Sequence, residues 1–526
     1  MAEPVRGRLI PRLPPIAKNP PSRGHVSLAD VSHLVCTLLL GVAGAMALAA
    51  VVGLMLRDGS FAPLAIATLA TAVVGAAGRG LTHVPQDINF REAFLTVTFA
   101  WTAVAIFGAL PYLLSNAIPV PAEALFESMS GFTTTGSSVL ADIEAVQPGI
   151  LFWRSLTQWL GGMGFIVLGV AILPYLGVGG MQLFRLEAPG PTADRLRPRI
   201  RETAKLLWMV YAGLTVLLAF LFVLGGMSVF EAVNHALTTM PTGGFSTRNA
   251  SMAAFSPYIQ WVTIVFMFLA GTSFTLHYRS LARSRNAYVS SSEWRLYTAI
   301  ILVAAAIIAT LTYAPGAPLE QTIRDATFQV VSIITTTGFG SADYVLWAPA
   351  AQILLFLLFF LGGMAGSTSG GMKMIRVLLV LKHAWMEVRK QLHPRAVFVP
   401  KVGGRPVHEH IMLNVLGFVL IYMMLFGVGT FAIAMLGYSL PASAGAAATA
   451  ISNVGPALAE LGPTANFSDM QWQGDLVLTF LMLVGRLEIY TVLLLFHPAL
   501  WRGSRSLHPR TAIRAVRRGA ARAIRR

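Results

Sequence analysis

Long apolar runs alternate with short basic or polar segments along most of this chain of 526 residues. A helix that crosses a bilayer needs about 20 mostly apolar residues. An even number of such helices places both termini on one side of the membrane. We predict an all-α, polytopic membrane protein with about ten transmembrane helices, over residues 33–56, 61–80, 92–115, 150–175, 205–226, 256–277, 296–314, 350–380, 409–437 and 473–498.

Four shorter segments interrupt this pattern, all on the side opposite to the termini: residues 121–140, 229–249, 319–341 and 441–462. Each begins with a short helical pattern and then reaches a glycine in a small, hydroxyl-rich or Pro/Gly-containing stretch. The aligned glycines are Gly136, Gly243, Gly338 and Gly455. The spacing predicts four pseudo-symmetric helix–pore loop–helix repeats around one pore, with the first two helices standing outside them as a hairpin.

These repeats divide the chain into seven predicted segments. They are a basic cytosolic tail (1–30), an N-terminal two-helix hairpin (31–90), repeat 1 (91–182), repeat 2 (183–290), repeat 3 with an intramembrane loop (291–400), repeat 4 (401–500) and a second basic cytosolic tail (501–526).

Charge is sparse and unevenly placed. Charged residues make up 12% of the chain, against about 25% in soluble domains, so no water-facing domain of ordinary size fits. The net charge is +16, but Lys and Arg cluster between apolar runs and at both ends. This is the positive-inside pattern, so we expect cytosolic termini and no nucleic-acid partner. The basic C-terminal tail is expected to contact anionic membrane lipid.

Catalytic and cofactor motifs are missing from the sequence. The lone cysteine, Cys36, cannot form an internal disulfide, and no Cys/His framework for a structural metal occurs. No HExxH, Walker A or GxSxG motif appears either. We therefore expect no enzyme activity and no covalent cofactor.

The repeated glycine stretches suggest a cation pathway. Non-helical backbone at membrane depth is tolerated only where it is buried in protein or lines a wet cavity. Four such segments around an axis can present rings of carbonyl oxygens that replace the hydration shell of a cation. Glycine suits this role because it adopts positive φ readily.

Several motifs resemble those of the Trk/Ktr/HKT superfamily of potassium transporters, and the N-terminal hairpin resembles its TrkH/TrkG branch. They are SGFTTTGSS (130–138), TMPTGGFSTRN (239–249), TTTGFGS (335–341), NVGPAL (453–458), GGMAGSTSGGMKMIR (362–376) and GRLEIYT (485–491). The resemblance implies K⁺ uptake across the bacterial cytoplasmic (inner) membrane. It also implies a homodimer and a cytosolic, nucleotide-binding regulatory ring of the TrkA/KtrA type.

The resemblance also implies a selectivity filter that binds K⁺, the transported ion. Glycine at all four aligned positions favours K⁺ over Na⁺, although the fourth segment lacks the Thr pair. The expected filter residues are Thr134, Thr135, Gly136, Pro241, Thr242, Gly243, Thr336, Thr337, Gly338, Asn453, Val454 and Gly455.

A gate is expected below the third segment, where glycines interrupt the run 350–380. We interpret residues 362–371 as a loop that obstructs the pore; the alternative is a plain kink between packed half-helices. Arg486, in mid-span, is either an electrostatic barrier that holds this loop or part of a structural salt bridge. Lys373 either steadies the loop or reaches the cytosolic interface. The gate set is Gly362, Gly363, Gly366, Ser367, Thr368, Ser369, Gly370, Gly371, Lys373 and Arg486.

Two further questions stay open in the sequence. Acidic residues near the outer segments either concentrate cations at the pore mouth or, for Glu123 and Glu231, favour the starts of short helices. The alternative function is an ion-coupled secondary transporter of a small solute or Na⁺, which predicts inverted repeats and acidic residues within spans. Glu488 is the only clear mid-span acid that the sequence pattern shows.

Overall fold

A computed structural model describes residues 26–85, 90–172, 196–282, 286–396 and 398–501. Most of both predicted basic tails lies outside these residues. The described part is mainly α-helical, and its one strand pair is the hairpin of β1 (Lys401–Val402) and β2 (Arg405–Pro406).

The first two helices form an antiparallel hairpin, α1 (Leu28–Leu56) and α2 (Phe61–Gly80). The Ser27 side chain caps α1 by accepting a hydrogen bond from the Asp30 amide at 3.3 Å. In the connecting turn, the Asp58 carboxylate accepts a hydrogen bond from the Gly149 amide at 2.5 Å. This contact ties the hairpin to the first residues of the helix that begins at Pro148.

The other helices form four groups, and in each group a short helix lies between longer helical stretches. The first group is α3 (Phe90–Gly108), α4 (Leu110–Leu114), α5 (Pro121–Phe132) and α6 (Pro148–Ile172). The second is α7 (Leu196–Leu224), α8 (Val229–Thr239), α9 (Pro257–Ala270), α10 (Phe274–Ala282) and α11 (Ala287–Ser290). The third is α12 (Ser292–Thr312), α13 (Leu319–Ile334), α14 (Pro349–Phe359) and α15 (Met374–Leu392). The fourth is α16 (Glu409–Ala434), α17 (Leu440–Ser452), α18 (Trp472–Arg486), α19 (Tyr490–Leu493) and α20 (Pro498–Trp501).

Six helical stretches within the described residues are long and apolar enough to cross a membrane, and two bent pairs bring the number to eight if each is one span. The bends are 96° between α9 and α10 and 110° after α18. The sequence predicts continuous runs at both places. The second bend arises where Glu488 and Ile489 take positive φ angles of 59° and 44°, which no helix tolerates.

Four short helices, α5, α8, α13 and α17, have 12, 11, 16 and 13 residues. At 1.5 Å per residue they cannot cross the roughly 30 Å hydrocarbon core. Their starts carry strong local signals. Ser228 and Glu231 form a capping box on α8, and the Ser439 side chain caps α17.

Two hydrophobic cores surround these short helices. One joins the hairpin to the first and fourth groups and includes Met46, Phe126 and Met482. The other joins the second and third groups and includes Tyr211 and Phe328. Each short helix is therefore packed inside the bundle, where its non-helical end can be held by protein.

Candidate ion-binding ring and intramembrane loop

Each short helix runs into a turn segment of five residues, and the four turn segments are 133–137, 241–245, 335–339 and 452–456. In each, a non-glycine residue with φ between 54° and 58° is followed two residues later by a glycine with positive φ. The pairs are Thr134 and Gly136, Thr242 and Gly244, Thr336 and Gly338, and Asn453 and Gly455. Four segments of different sequence thus share one backbone path.

This shared path corrects the sequence alignment in the second repeat. The residue before each glycine donates its amide to the carbonyl of the residue five positions earlier, at 2.8–3.0 Å. The donors are Thr135, Gly243, Thr337 and Val454. Gly243 therefore occupies the position of Thr135, and Gly244 is the equivalent of Gly136. The predicted alignment was wrong by one residue there, because adjacent glycines are indistinguishable until their φ angles are known.

The four glycines join the turn segments into a closed ring. A Cβ atom placed on Gly136 would collide with the Gly243 carbonyl oxygen, and one on Gly244 with the Thr337 carbonyl. The same holds for Gly338 against Val454 and, at 2.9 Å, for Gly455 against Thr135. Each glycine thus lies against a backbone carbonyl of the next segment, and the fourth segment returns to the first.

A hydroxyl side chain stands six residues before each ring glycine, a signal that sequence reasoning missed. The four residues are Ser130, Thr238, Ser332 and Thr449. Ser130 Oγ and Ser332 Oγ donate to the Ser137 and Phe339 carbonyls at 2.6 and 2.8 Å. Thr449 Oγ1 accepts from the Gly455 amide at 2.7 Å. These three hydroxyls satisfy backbone groups that no helix or strand would satisfy, whereas Thr238 Oγ1 donates to carbonyls of its own helix.

Two ring side chains have buried oxygens without a hydrogen-bond partner among the described residues. They are Thr134 Oγ1 and Asn453 Oδ1, which occupy equivalent positions in neighbouring turn segments. A buried polar atom without a partner is unfavourable by about 1–3 kcal/mol. Oxygen atoms left free in this way are available as ligands for a cation.

The glycine-rich loop leaves the bundle core at Leu361 and returns at Met372, where the Gly362 amide donates to the Met372 carbonyl at 2.8 Å. Its tip contacts the ring. The Gly370 amide donates to Thr336 Oγ1 at 2.7 Å, and Thr368 Oγ1 donates to the Met240 carbonyl at 3.0 Å. The loop is thus an excursion docked on the third turn segment and on Met240, the residue just before the second, and is not a plain kink.

Two buried cations hold this loop. Arg486 Nη1 donates to the Thr368 carbonyl at 2.9 Å, and Nη2 reaches the Gly161 carbonyl at 3.5 Å. Lys373 Nζ donates to the Ser369 carbonyl, and Lys373 is 5% exposed. Lys373 is therefore buried and bonded to the loop. Arg486 takes the role of a donor to freed loop carbonyls, one of the two interpretations that the sequence allowed.

A sequence profile of the TrkH family, described as a cation transport protein, matches residues 64–303 and 299–503. The chain belongs to this family. The Trk system potassium uptake protein TrkH of Halomonas elongata is 38% identical over 487 residues, 91% of this chain and 100% of that protein. The Escherichia coli K12 TrkH is also 38% identical, over 90% of this chain and 99% of its own length.

A solved TrkH structure has the same fold. The crystal structure of the potassium transporter TrkH from Vibrio parahaemolyticus matches with a TM-score of 0.84 and 35% identity, over 91% of this chain and 100% of that one. The predicted resemblance to the TrkH/TrkG branch is confirmed. The TrkH family consists of transport proteins, so the prediction that the chain is not an enzyme is confirmed as well.

Within this TrkH-family fold, sequence reasoning missed the partners of Glu488 and Glu127 and the burial of Asp475. Glu488 pairs with Arg376 of α15 at 2.6 Å, a partner far away in sequence. Glu127 pairs with Arg154 at 2.5 Å, and both side chains are buried. Asp475, in the first turn of α18, is fully buried, and neither carboxylate oxygen has a hydrogen-bond partner among the described residues.

At the outer surface, acids are largely tied to neighbouring side chains. Arg248 pairs with Glu231 at 2.7 Å and with Glu144 at 3.5 Å. The hydrogen bond to Glu231 raises the pKa of Arg248. Asn249 donates to Asp142 at 2.8 Å, which lowers the pKa of Asp142. These contacts lock the outer loops of the first two repeats together, and Glu231 also caps its helix, as the dipole interpretation expects.

Proposed function

We propose that this chain takes up K⁺ across the bacterial cytoplasmic membrane through the ring of four turn segments. The observation that carries the proposal is the closure of that ring, in which each glycine lies against a carbonyl of the next segment. The names of the TrkH relatives, which are potassium uptake proteins, support K⁺ as the ion.

In this proposal the turn segments supply oxygen ligands, and the short helices of the bundle supply an electrostatic field that favours a cation. Carbonyls around the ring replace the hydration shell of K⁺. The short helices end at the ring, so the negative ends of their dipoles favour a cation there. Thr134 Oγ1 and Asn453 Oδ1 add free oxygens at the level of the positive-φ residues. The proposed filter residues are those predicted from the sequence, with a change in the second segment. Gly244 is added there, and Pro241 lies one residue before Thr242, the equivalent of Thr134.

We extend the proposal to the arrangement of spans and to the partners. Ten spans form four pseudo-symmetric repeats plus the hairpin, with cytosolic termini and two copies in a homodimer. A cytosolic nucleotide-binding ring of the TrkA/KtrA type regulates the pair. Basic side chains on the segment from α15 to β2 give an acidic partner a surface to dock on; they include Lys382, Arg389, Lys390, Arg395 and Lys401.

The glycine-rich loop is the gate, and the described conformation is closed. The loop is bonded to Thr336 of the ring and to Met240 just before the second turn segment, and Arg486 places a positive charge next to the loop. Opening requires the loop to exchange these hydrogen bonds for others, and a regulatory partner can drive that exchange only by binding the open state more tightly.

The test is ion flux into proteoliposomes that hold the full chain, with K⁺ or Na⁺ as the only gradient. We expect K⁺ to move down its own gradient faster than Na⁺, and Arg486→Ala to raise the flux because it releases the Thr368 carbonyl and removes a charge from the pathway. Gly338→Ser should erode the preference for K⁺.

A different result would favour the coupled transporter. If neither ion moves until a second solute or proton gradient is imposed, a conducting ring is the wrong description.

A further inference from the structure

A buried ion pair lies directly behind the first turn segment. Glu127 belongs to α5 and Arg154 to α6, and Arg154 Nε donates to Glu127 Oε1 at 2.5 Å. Their side chains are 0% and 3% exposed. Removing both charges from water is strongly unfavourable, and only close pairing with further hydrogen bonds offsets it.

The Glu127 carboxylate also accepts hydrogen bonds from the residues that follow the first turn segment. Ser138 Oγ donates to Glu127 Oε1 at 3.0 Å, and the Val139 amide donates to Glu127 Oε2 at 2.9 Å. Both donors lie within three residues of Gly136 in the sequence. One carboxylate thus fixes the outer end of the first segment.

Arg154 reaches the second turn segment in the same way. Its Nη1 donates to the Ser246 carbonyl at 3.0 Å, and its guanidinium lies 3.4 Å from the centre of the Phe245 ring. One helical turn later, Gln158 Nε2 donates to the Gly243 carbonyl at 2.7 Å and Gln158 Oε1 accepts from the Phe245 amide at 3.1 Å. The Glu127–Arg154 pair therefore bridges the outer ends of two neighbouring segments.

The other repeats have different residues at the position of Glu127. Nine residues before each ring glycine stand Glu127, His235, Gln329 and Ala446. His235 Nε2 lies 3.0 Å from Ser246 Oγ, and Gln329 Nε2 donates to the Ala342 carbonyl at 3.0 Å. The brace behind the ring is thus charged at the first segment, neutral and polar at the next two, and a methyl group at the fourth.

We propose that Glu127 and Arg154 are positioning residues that hold the first and second turn segments at a fixed spacing and thereby set the preference of the ring for K⁺ over Na⁺. This rests on the proposed function, since it assigns a role to groups behind the ring that conducts. Charge-assisted hydrogen bonds are stronger and more directional than neutral ones. A ring kept from contracting offers the smaller Na⁺ longer contacts than it needs.

The test uses conservative variants of the full chain in proteoliposomes, with the ratio of K⁺ to Na⁺ flux as the readout. Arg154→Lys keeps the charge, but one ammonium cannot reach both Glu127 and Ser246 or stack on Phe245 as the planar guanidinium does. We expect the flux ratio to fall by about three- to tenfold, the range given by one weakened charge-assisted hydrogen bond.

Glu127→Asp serves as the second variant, because the shortened side chain cannot hold Arg154 and the Val139 amide together. Arg324→Lys is the matched control. Arg324 is also buried and paired, with Glu320 one turn earlier on α13 at 2.8 Å, and its ion pair does not reach a turn segment. The control should retain the wild-type ratio.

Two results would overturn the proposal. One is a wild-type flux ratio in both Arg154→Lys and Glu127→Asp, which would make the pair a packing feature only. The other is failure of both variants to yield conducting protein, which would make it a folding determinant. A wild-type chain without K⁺ preference would instead refute the proposed function itself.

Discussion

At the scale of single residues, three threonines adopt a conformation that side chains of their shape avoid. Thr134, Thr242 and Thr336 have φ angles of 54°, 58° and 57°. A non-glycine residue held there is unfavourable by about 1–3 kcal/mol and persists only where its surroundings determine it. In this chain the surroundings are the ring itself and the hydroxyls behind it. The ring geometry is therefore imposed by packing and not by local preference.

Asp475 gives a prediction at the same scale. Its carboxylate is buried, and within the described residues it has no hydrogen-bond partner. Asp475→Asn removes an ionisable group from this site at nearly constant shape, so thermal unfolding of the purified protein should occur at an unchanged or higher temperature.

Glu488→Gln is the contrasting variant, because it leaves Arg376 without its carboxylate. We expect that change to destabilise the protein by about 1–3 kcal/mol. A clear loss of stability in Asp475→Asn would show that the carboxylate has a favourable partner that this account lacks.

At the scale of elements, two broken helices depend on each other. The third repeat is interrupted between α14 and α15, and the fourth is bent after α18. Arg486 contacts the loop through Thr368, and Glu488 pairs with Arg376 just beyond the loop. Side chains at the break of the fourth repeat thus bond the loop of the third repeat and the helix that follows it, so we expect a motion of one break to involve the second.

The loop contacts predict how removal of the Thr368 hydroxyl changes the basal K⁺ flux. Thr368→Val keeps the shape of the side chain but removes the hydrogen bonds to the Met240 and Ala270 carbonyls. Since one hydrogen bond contributes about 1 kcal/mol, we expect the basal K⁺ flux to rise by about fivefold. Thr310→Val on α12 is the control, because Thr310 Oγ1 bonds only to the adjacent turn of its own helix in the described contacts. Unchanged flux in Thr368→Val would argue against the loop as the barrier.

The outer loops give a pH-dependent prediction. The Asn249 hydrogen bond lowers the pKa of Asp142, so its stabilising effect is complete above the ordinary Asp pKa of about 3.9 and is lost as pH falls through the lowered value. Asn249→Ala should therefore reduce stability at neutral pH, and the difference from wild type should shrink below about pH 4. Thermal unfolding between pH 3 and pH 7 measures this, and a constant difference across that range would contradict it.

At the scale of the whole molecule, the apolar runs and the positions of the four turn segments followed from the sequence. Hydropathy and glycine spacing report on solvent and on backbone freedom, which are local properties. The partner of Glu488 and the burial of Asp475 did not follow, because contacts between segments a hundred residues apart leave no periodic trace in one sequence. The alignment of Gly243 was missed for a local reason, since its φ angle and that of Gly244 are not visible in the sequence.

One pair of adjacent variants tests directly whether Gly244, and not Gly243, is the ring glycine of the second turn segment. A Cβ at Gly244, whose φ is 75°, would collide with the Thr337 backbone, whereas the atoms nearest to one at Gly243 belong to the Gln158 side chain. We would measure the ratio of K⁺ to Na⁺ flux in Gly244→Ala and Gly243→Ala. We expect the ratio to collapse in Gly244→Ala and to change much less in Gly243→Ala. The reverse order, or equal effects, would contradict the ring described here.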